Sequence, residues 1–189
     1  MAGKMRLKPL SDDELSPEQM EMTKHYRRGG VLPNVFRIAL RHTKLFKAYK
    51  PFGLFTQALS SVDPRAREIG ILRVAWNNNA EYEWVHHVRI ALDETDLTEA
   101  DIDNIKIGPD ADGWSKIDRA VISLVDQLRE KSNVDDATYE TLMNEMGEHK
   151  FTELLYTIGN YDMVSKALNV FGVPLEEGFE AFAMNKAEA

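Results

Sequence analysis

Cysteine is absent from the 189 residues, which excludes disulfides, thiolate metal ligands, a cysteine nucleophile and any dithiol redox pair. Long apolar runs are missing too. No stretch reaches the roughly 18 consecutive apolar residues of a membrane span, and Met1–Leu10 lacks the apolar centre of a secretory signal, so a cytoplasmic location without a membrane partner is expected. Positive charge is in deficit: 23 Lys and Arg face 31 Asp and Glu, a formal net charge of −8. The basic spots Lys24–Arg28 and Arg37–Lys50 read as solvated helix surface, and nucleic acid is not an expected partner. Neither a Gly-x-Ser-x-Gly turn nor a glycine-rich phosphate loop occurs, which argues against triad acyl transfer and nucleotide binding.

Strictly alternating segments are few, and apolar residues recur at spacings of three and four, so the chain is predicted to be all-α. Ser16–Pro17 starts a polar helix that Gly29–Gly30 should stop near Arg28. Leu32–Pro33–Asn34 opens another. Thr43 is placed as the cap of a third, running to Leu59 and bent or divided by Pro51 and Gly53, with His42 as the preceding helix end. Phe36, Phe46, Tyr49, Phe52 and Phe55 are expected mainly in the core, with exposed members of Leu32–Leu59 forming a subunit interface.

Asp63–Pro64 caps a helix reaching Trp76 whose apolar residues cover most of its circumference, which makes Glu68 and Arg73 ionisable groups on an interior element in need of partners. Asn77–Asn79 breaks the run before a helix over Glu81–Leu92. Thr98 with Asp101 begins a short one, Gly108–Gly113 is a loop, and helices follow over Ile117–Leu128, Asp136–Met146 and Phe151–Phe171. The expected organisation is an arm and peripheral helix over 1–30, a helical domain over 31–175, and a tail over 176–189 that is mobile at its end.

The chemistry concentrates in Ala80–Glu81–Tyr82–Glu83–Trp84–Val85–His86–His87. On a helix Glu83 shares a face with His86 and with His87, whereas those two neighbours diverge, so one carboxylate holds one imidazole at a time. A histidine buried against a carboxylate suits proton transfer near neutral pH. The same pair also reads as a structural ion bridge fixing helix register. Glu83-x-x-His86 has the spacing of a carboxylate metal ligand pair, but the second copy that a di-iron bundle requires is missing; a mononuclear site from Glu68, Glu83 and one histidine stays open.

Pro64–Arg65–Ala66–Arg67–Glu68–Ile69 followed by Asn79–His87 resembles the carboxymuconolactone decarboxylase family, which shares the alkylhydroperoxidase-like helical fold. In that family's redox branch a glutamate precedes a Cys-x-x-Cys pair and a histidine. Here the glutamate falls on Glu68, the cysteines on Ala80 and Glu83, and the histidine on His87. Tyr82, Glu83, Trp84 and His87 are similar to the branch without thiols. The specific similarity spans about residues 63–93, and the Phe151–Leu175 segment, with Gly159, Tyr161 and Asn169, is similar to the longer members.

The resemblance implies a lyase or isomerase without cofactor or metal, acting on a small cyclic carbonyl acid or lactone. Carbon dioxide leaves, the electrons pass into a conjugated carbonyl, and the dienolate is protonated. His87 is the implied proton-transfer residue, with Glu68 and Glu83 orienting it. Tyr82, Trp84, Arg73 and His86 are implied around the substrate, and the assembly is a homo-oligomer, a trimer or hexamer. The alternatives are a metal-dependent enzyme on Glu68, Glu83 and a histidine, or a non-catalytic binding or assembly protein.

Overall fold

The structure, a computed structural model, describes residues 4–27, 29–179 and 182–184. Its helices are α1 (Pro17–Thr23), α2 (Asn34–Ala39), α3 (Thr43–Leu54), α4 (Pro64–Asn77), α5 (Glu81–Glu94), α6 (Glu99–Ile107), α7 (Lys116–Lys131) and α8 (Asp136–Phe171). No β-sheet forms among the described residues, so the all-α reading holds. None of the described helices is long and apolar enough to cross a membrane.

Helix α4 is the axis of the fold. Asp63 accepts hydrogen bonds from the amides of Arg65 and Ala66 at 3.0 and 3.4 Å, with Pro64 at the first helical position, an N-cap that satisfies two otherwise free donors. Every residue from Ala66 to Ala75 is buried, because α5, α6, α7 and α8 surround the helix. Ile69, Ile71, Leu72, Trp84, Val85, Leu124 and Leu154 form the centre of the main core. Each such apolar side chain contributes about 1.5–3 kcal/mol on removal from water.

One charged side chain joins this framework. The Arg73 guanidinium grips both carboxylate oxygens of Asp126 on α7 at 2.7 Å and donates to the carbonyl of Ile105 at 2.6 Å and of Lys106 at 3.1 Å. Gly108 follows with φ of +114°, and a Cβ there would stand 2.8 Å from the guanidinium. Glycine is therefore required both for backbone and for space.

The break expected between the Asp136–Met146 and Phe151–Phe171 helices falls at Gly147 inside α8, where φ is 75° and ψ 165°. Thr98 and Asp101 form a reciprocal capping box at the start of α6. Other boundaries differ from expectation. α1 ends at Thr23 and tightens into a 3-10 turn over Lys24–Tyr26, while Arg28 lies outside the described residues. His42, rather than Thr43, caps α3: its Nδ1 accepts from the Leu45 amide at 3.1 Å.

Pro51 does not end α3. The helix passes through it to Leu54 and widens into a π-turn over Phe55–Leu59. Phe46 is buried, but Phe52 and Phe55 are exposed. At the far end, the residues expected as a tail are partly built in: Phe179 and Phe182 pack on the main core and Met184 is buried in it. Residues 185–189, the part expected to be mobile, are outside the described set.

Candidate active site

The turn at Asn77–Ala80 folds α5 back on α4, with Asn79 in the left-handed region at φ 53° and the Ala80 amide donating to the Ala75 carbonyl at 2.9 Å. This return brings Glu68 of α4 beside His87 of α5. The His87 Nδ1 lies 2.7 Å from Glu68 Oε2. On the other edge of the ring, Nε2 lies 3.4 Å from Glu83 Oε2, one helical turn back. Glu68 places its second oxygen 3.2 Å from Nε of Arg67. All four side chains are buried, and Glu68 is fully so.

The polar contacts are unequal. Glu68 orients the imidazole through a short hydrogen bond, whereas Glu83 makes only the long ion-pair contact to His87 and takes no hydrogen bond from the described residues. Burial by itself would push the His87 imidazole down, but the adjacent Glu68 carboxylate, by charge and hydrogen bond, and then Glu83, outweigh it and hold the imidazole above its usual 6.5. Burial pushes the Glu83 carboxyl up, with partial relief from His87 and His86. The result is a buried imidazole whose charged form is favoured next to a buried carboxyl group whose neutral form is favoured.

The sign of the His87 shift yields a direct test. Imidazolium is favoured in the folded chain, so its contribution to stability is complete below the usual 6.5 and is lost as pH climbs through the raised folded value. Glu68→Gln removes the largest favourable charge. The His87 midpoint, followed by NMR of the imidazole protons, is expected above 6.5 in the native protein and displaced downward in Glu68→Gln.

Aromatic and amide groups enclose the cluster. The Tyr161 ring meets the His87 ring edge-on, with centroids 4.8 Å apart, and its hydroxyl donates to Gln57 Oε1 on the π-turn. Tyr49 donates to Asn160 Oδ1 at 2.9 Å, and Asn160 Nδ2 donates to Thr56 Oγ1 at 3.0 Å. A surface depression of about 350 Å³ lies elsewhere, bounded by Asp63, Arg65, Ser115 and Asp118. It includes none of Glu68, Glu83 and His87.

The comparisons with known proteins agree with this architecture. Residues 43–126 match the carboxymuconolactone decarboxylase family. Over that stretch the chain is similar to the family. The matched region contains Glu68, Glu83 and His87, and with no cysteine in the chain it lacks the thiol pair. An alkylhydroperoxidase AhpD core, an uncharacterized peroxidase-related protein from Ralstonia eutropha, superposes with a TM-score of 0.74 at 16% identity, covering 92% of this chain and 93% of that one. A peroxidase-related protein from a Silicibacter species gives 0.70 at 17% identity over 94% and 93%. A cysteine-to-alanine variant of the debrominase Bmp8, in complex with 2,3,4-tribromopyrrole, gives 0.69 at 16% identity over 92% and 93%. At these identities the likeness is one of fold. No curated protein matches the chain.

Against this family background, the remaining expected site residues fall into other environments. Tyr82 and His86 leave α5 toward the C-terminal segment. The Tyr82 hydroxyl donates to Glu176 Oε1 at 2.7 Å and accepts from the Val35 amide at 3.1 Å, and His86 Nε2 lies 2.7 Å from Glu176 Oε2. The His86 ring is also stacked on Phe179 at 4.6 Å. Burial pushes Glu176 up, but hydrogen bonds from His86, the Asn34 amide and Tyr82 outweigh it and hold the carboxyl below its usual range.

Neither Tyr82 nor His86 therefore offers a free group to a ligand at His87. Trp84 is in the main core, 5.2 Å from the Trp76 ring, because the face of α5 that carries it turns toward apolar neighbours. Arg73 is committed to Asp126 and two carbonyls. Both side chains are thus engaged in packing and helix-to-helix contacts within the fold.

Arg67, Tyr49, Thr56, Gln57, Asn160, Tyr161 and Glu176 were not expected around the two histidines. Arg67 had a signal, since it precedes Glu68 on a helix with no exposed face. The others come from positions up to 111 residues away from the groups they meet, and no local pattern marks such pairs. Among the described residues no group of three or more His, Asp or Glu side chains is arranged to hold a metal ion. Glu68 directs its oxygens to His87 and Arg67, whose positive charge opposes a cation there.

Proposed function

We propose that this protein is a cofactor-independent lyase or isomerase that acts on a small cyclic carbonyl acid or lactone by proton transfer at His87. The observation that carries the reading is the asymmetry around that imidazole: Nδ1 is held by Glu68 at 2.7 Å, while Nε2 faces a buried Glu83 without a short hydrogen bond. An oriented histidine with its second nitrogen available is what general acid and base catalysis requires. In a decarboxylation, the substrate's carbon–carboxylate bond breaks, its electron pair passes into the conjugated carbonyl, and carbon dioxide leaves. The resulting dienolate carbon takes the proton from Nε2, and water restores that proton. Arg67 and Glu68 keep the local charge balanced as the imidazole cycles.

The reading is tested on metal-stripped protein in D2O with a panel of small cyclic keto acids and lactone acids, following carbon dioxide release and deuterium incorporation by NMR. Turnover that survives chelation and disappears in His87→Asn is expected. Activity that vanishes on chelation and returns with a divalent metal would overturn it. As pH rises past the raised His87 value, the donor form is depleted and decarboxylation is expected to slow.

The burial of Glu68, Glu83 and His87 favours a second reading, a structural ion bridge at the centre of a binding or assembly protein. The substitutions discussed below separate the two. The proposal includes a homo-oligomer, a trimer or hexamer, supported by the exposed Phe52, Phe55 and Leu59; a monomer in light scattering at micromolar concentration would end that part.

A further inference from the structure

Tyr161 connects the buried histidine to a part of the molecule that reaches solvent. Its ring covers His87, its hydroxyl ends on the half-buried Gln57, and Gln57 lies between the exposed Phe55 and Ala58 on the π-turn. The neighbouring polar groups are engaged among themselves. Asn160 and Thr56 are buried: Asn160 donates to the Thr56 hydroxyl and accepts from Tyr49, and Thr56 donates to the Gly53 carbonyl. The Tyr161–Gln57 contact rests on a helix geometry that is rare, usually a single turn, and frequent at functional sites.

The chemistry of the contact is also specific. Gln57 Oε1 is a carbonyl oxygen, the same kind of acceptor that an unsaturated lactone or keto acid presents. Burial, reinforced by Glu83 and Glu68, pushes the Tyr161 phenol well above its ordinary range, so the hydroxyl stays a neutral donor throughout the working pH. The ring that carries it meets the His87 imidazole edge-on, with centroids 4.8 Å apart.

We propose that the Tyr161–Gln57 contact is the entrance to the site, and that on opening the Tyr161 hydroxyl exchanges Gln57 for the carbonyl or enolate oxygen of a ligand placed at His87. The choice of ligand oxygen rests on the proposed function; the entrance does not. Gln57 takes no part in the Glu68–His87 hydrogen bond, so its displacement leaves that bond in place.

Two measurements that need no turnover test this. Acylation by diethyl pyrocarbonate, read residue by residue by mass spectrometry, is expected to be at least about ten-fold slower at His87 than at His149, whose side chain is 83% exposed. Gln57→Ala should raise the His87 rate about ten-fold while His149 and the melting temperature stay unchanged. Should alanine impair folding, Gln57→Met keeps the bulk and removes the acceptor. An unchanged His87 rate in a folded Gln57 variant would overturn the entrance.

Binding of 4-nitrophenol, whose phenolate oxygen stands in for an enolate and whose absorbance reports its hydrogen bonding, is expected to tighten several-fold in Gln57→Ala. It should weaken at least ten-fold in Tyr161→Phe. Equal affinity in the native protein and Tyr161→Phe, or no binding to the native protein, would overturn the oxygen-binding role. Both sets of expected results together with no turnover on any carbonyl acid would leave the inference standing and end the catalytic reading alone.

Discussion

His87→Asn is expected to leave the helical signal almost unchanged, and the melting temperature too when compared above the raised His87 value where the imidazolium contribution is gone, while turnover falls by about two orders of magnitude or more, the usual size of a lost general acid. The geometry supports this split. Asparagine can still donate toward Glu68, and the remaining Arg67–Glu68 pair at 3.2 Å keeps a positive partner on that carboxylate. Glu83→Gln is expected to be comparably silent in stability, because burial already pushes the Glu83 carboxyl toward its neutral form and glutamine is close to it in shape. If the cluster is instead a structural bridge, removal of either partner strands a buried charge and costs roughly 3–5 kcal/mol. Calorimetry and single-substrate kinetics on the same preparations distinguish these outcomes. A destabilised His87→Asn protein whose folded fraction keeps full specific activity would end the catalytic reading.

Arg73→Ala is expected to have the opposite signature, a large loss of stability with the His87 environment preserved in whatever remains folded. The side chain ties α4 to α7 through Asp126 and to the end of α6 through the Ile105 and Lys106 carbonyls. Its removal strands two carbonyls and one carboxylate at once. Asp126 retains partial access to water, with 28% of its side chain exposed, so the cost is placed near the lower end of the range for a broken buried pair, about 3 kcal/mol. For a chain of this size that corresponds to a fall of roughly 6–12 °C in melting temperature. A shift below about 2 °C, by the same conversion, would show that the clamp contributes little beyond what its neighbours supply.

The amino-acid order by itself determined the helical class, the interior position of α4, the interruption at Gly147 and the exclusion of thiol chemistry. Each is a local matter. Caps, glycine punctuation and apolar spacing act within a turn or two, and α4 has too little polar surface to face water anywhere. The pairing of Glu83 with His87 across one turn was also legible, since it needs only the helical repeat.

Which carboxylate each histidine takes was decided by tertiary structure. Spacing admits either His86 or His87 above Glu83, and the choice depends on the rotation of α5 about its axis. That rotation is set by burial of Trp84, Val85, Val88 and Ala91 in the main core. Once it is set, His87 must meet Glu68 from α4, while His86 is carried to Glu176, 90 residues away in the chain.

Arg73 on α4 and Trp84 on α5 were likewise placed by tertiary packing. Their spacing is compatible with a site, but Asp126 on α7 and Trp76 on α4 claim them first. The π-turn, and with it the placement of Gln57 over Tyr161, has no local signature because it depends on the packing of Phe55–Leu59 against α8. A helix dictates which side chains share a face; only the surfaces packed around it decide where that face points.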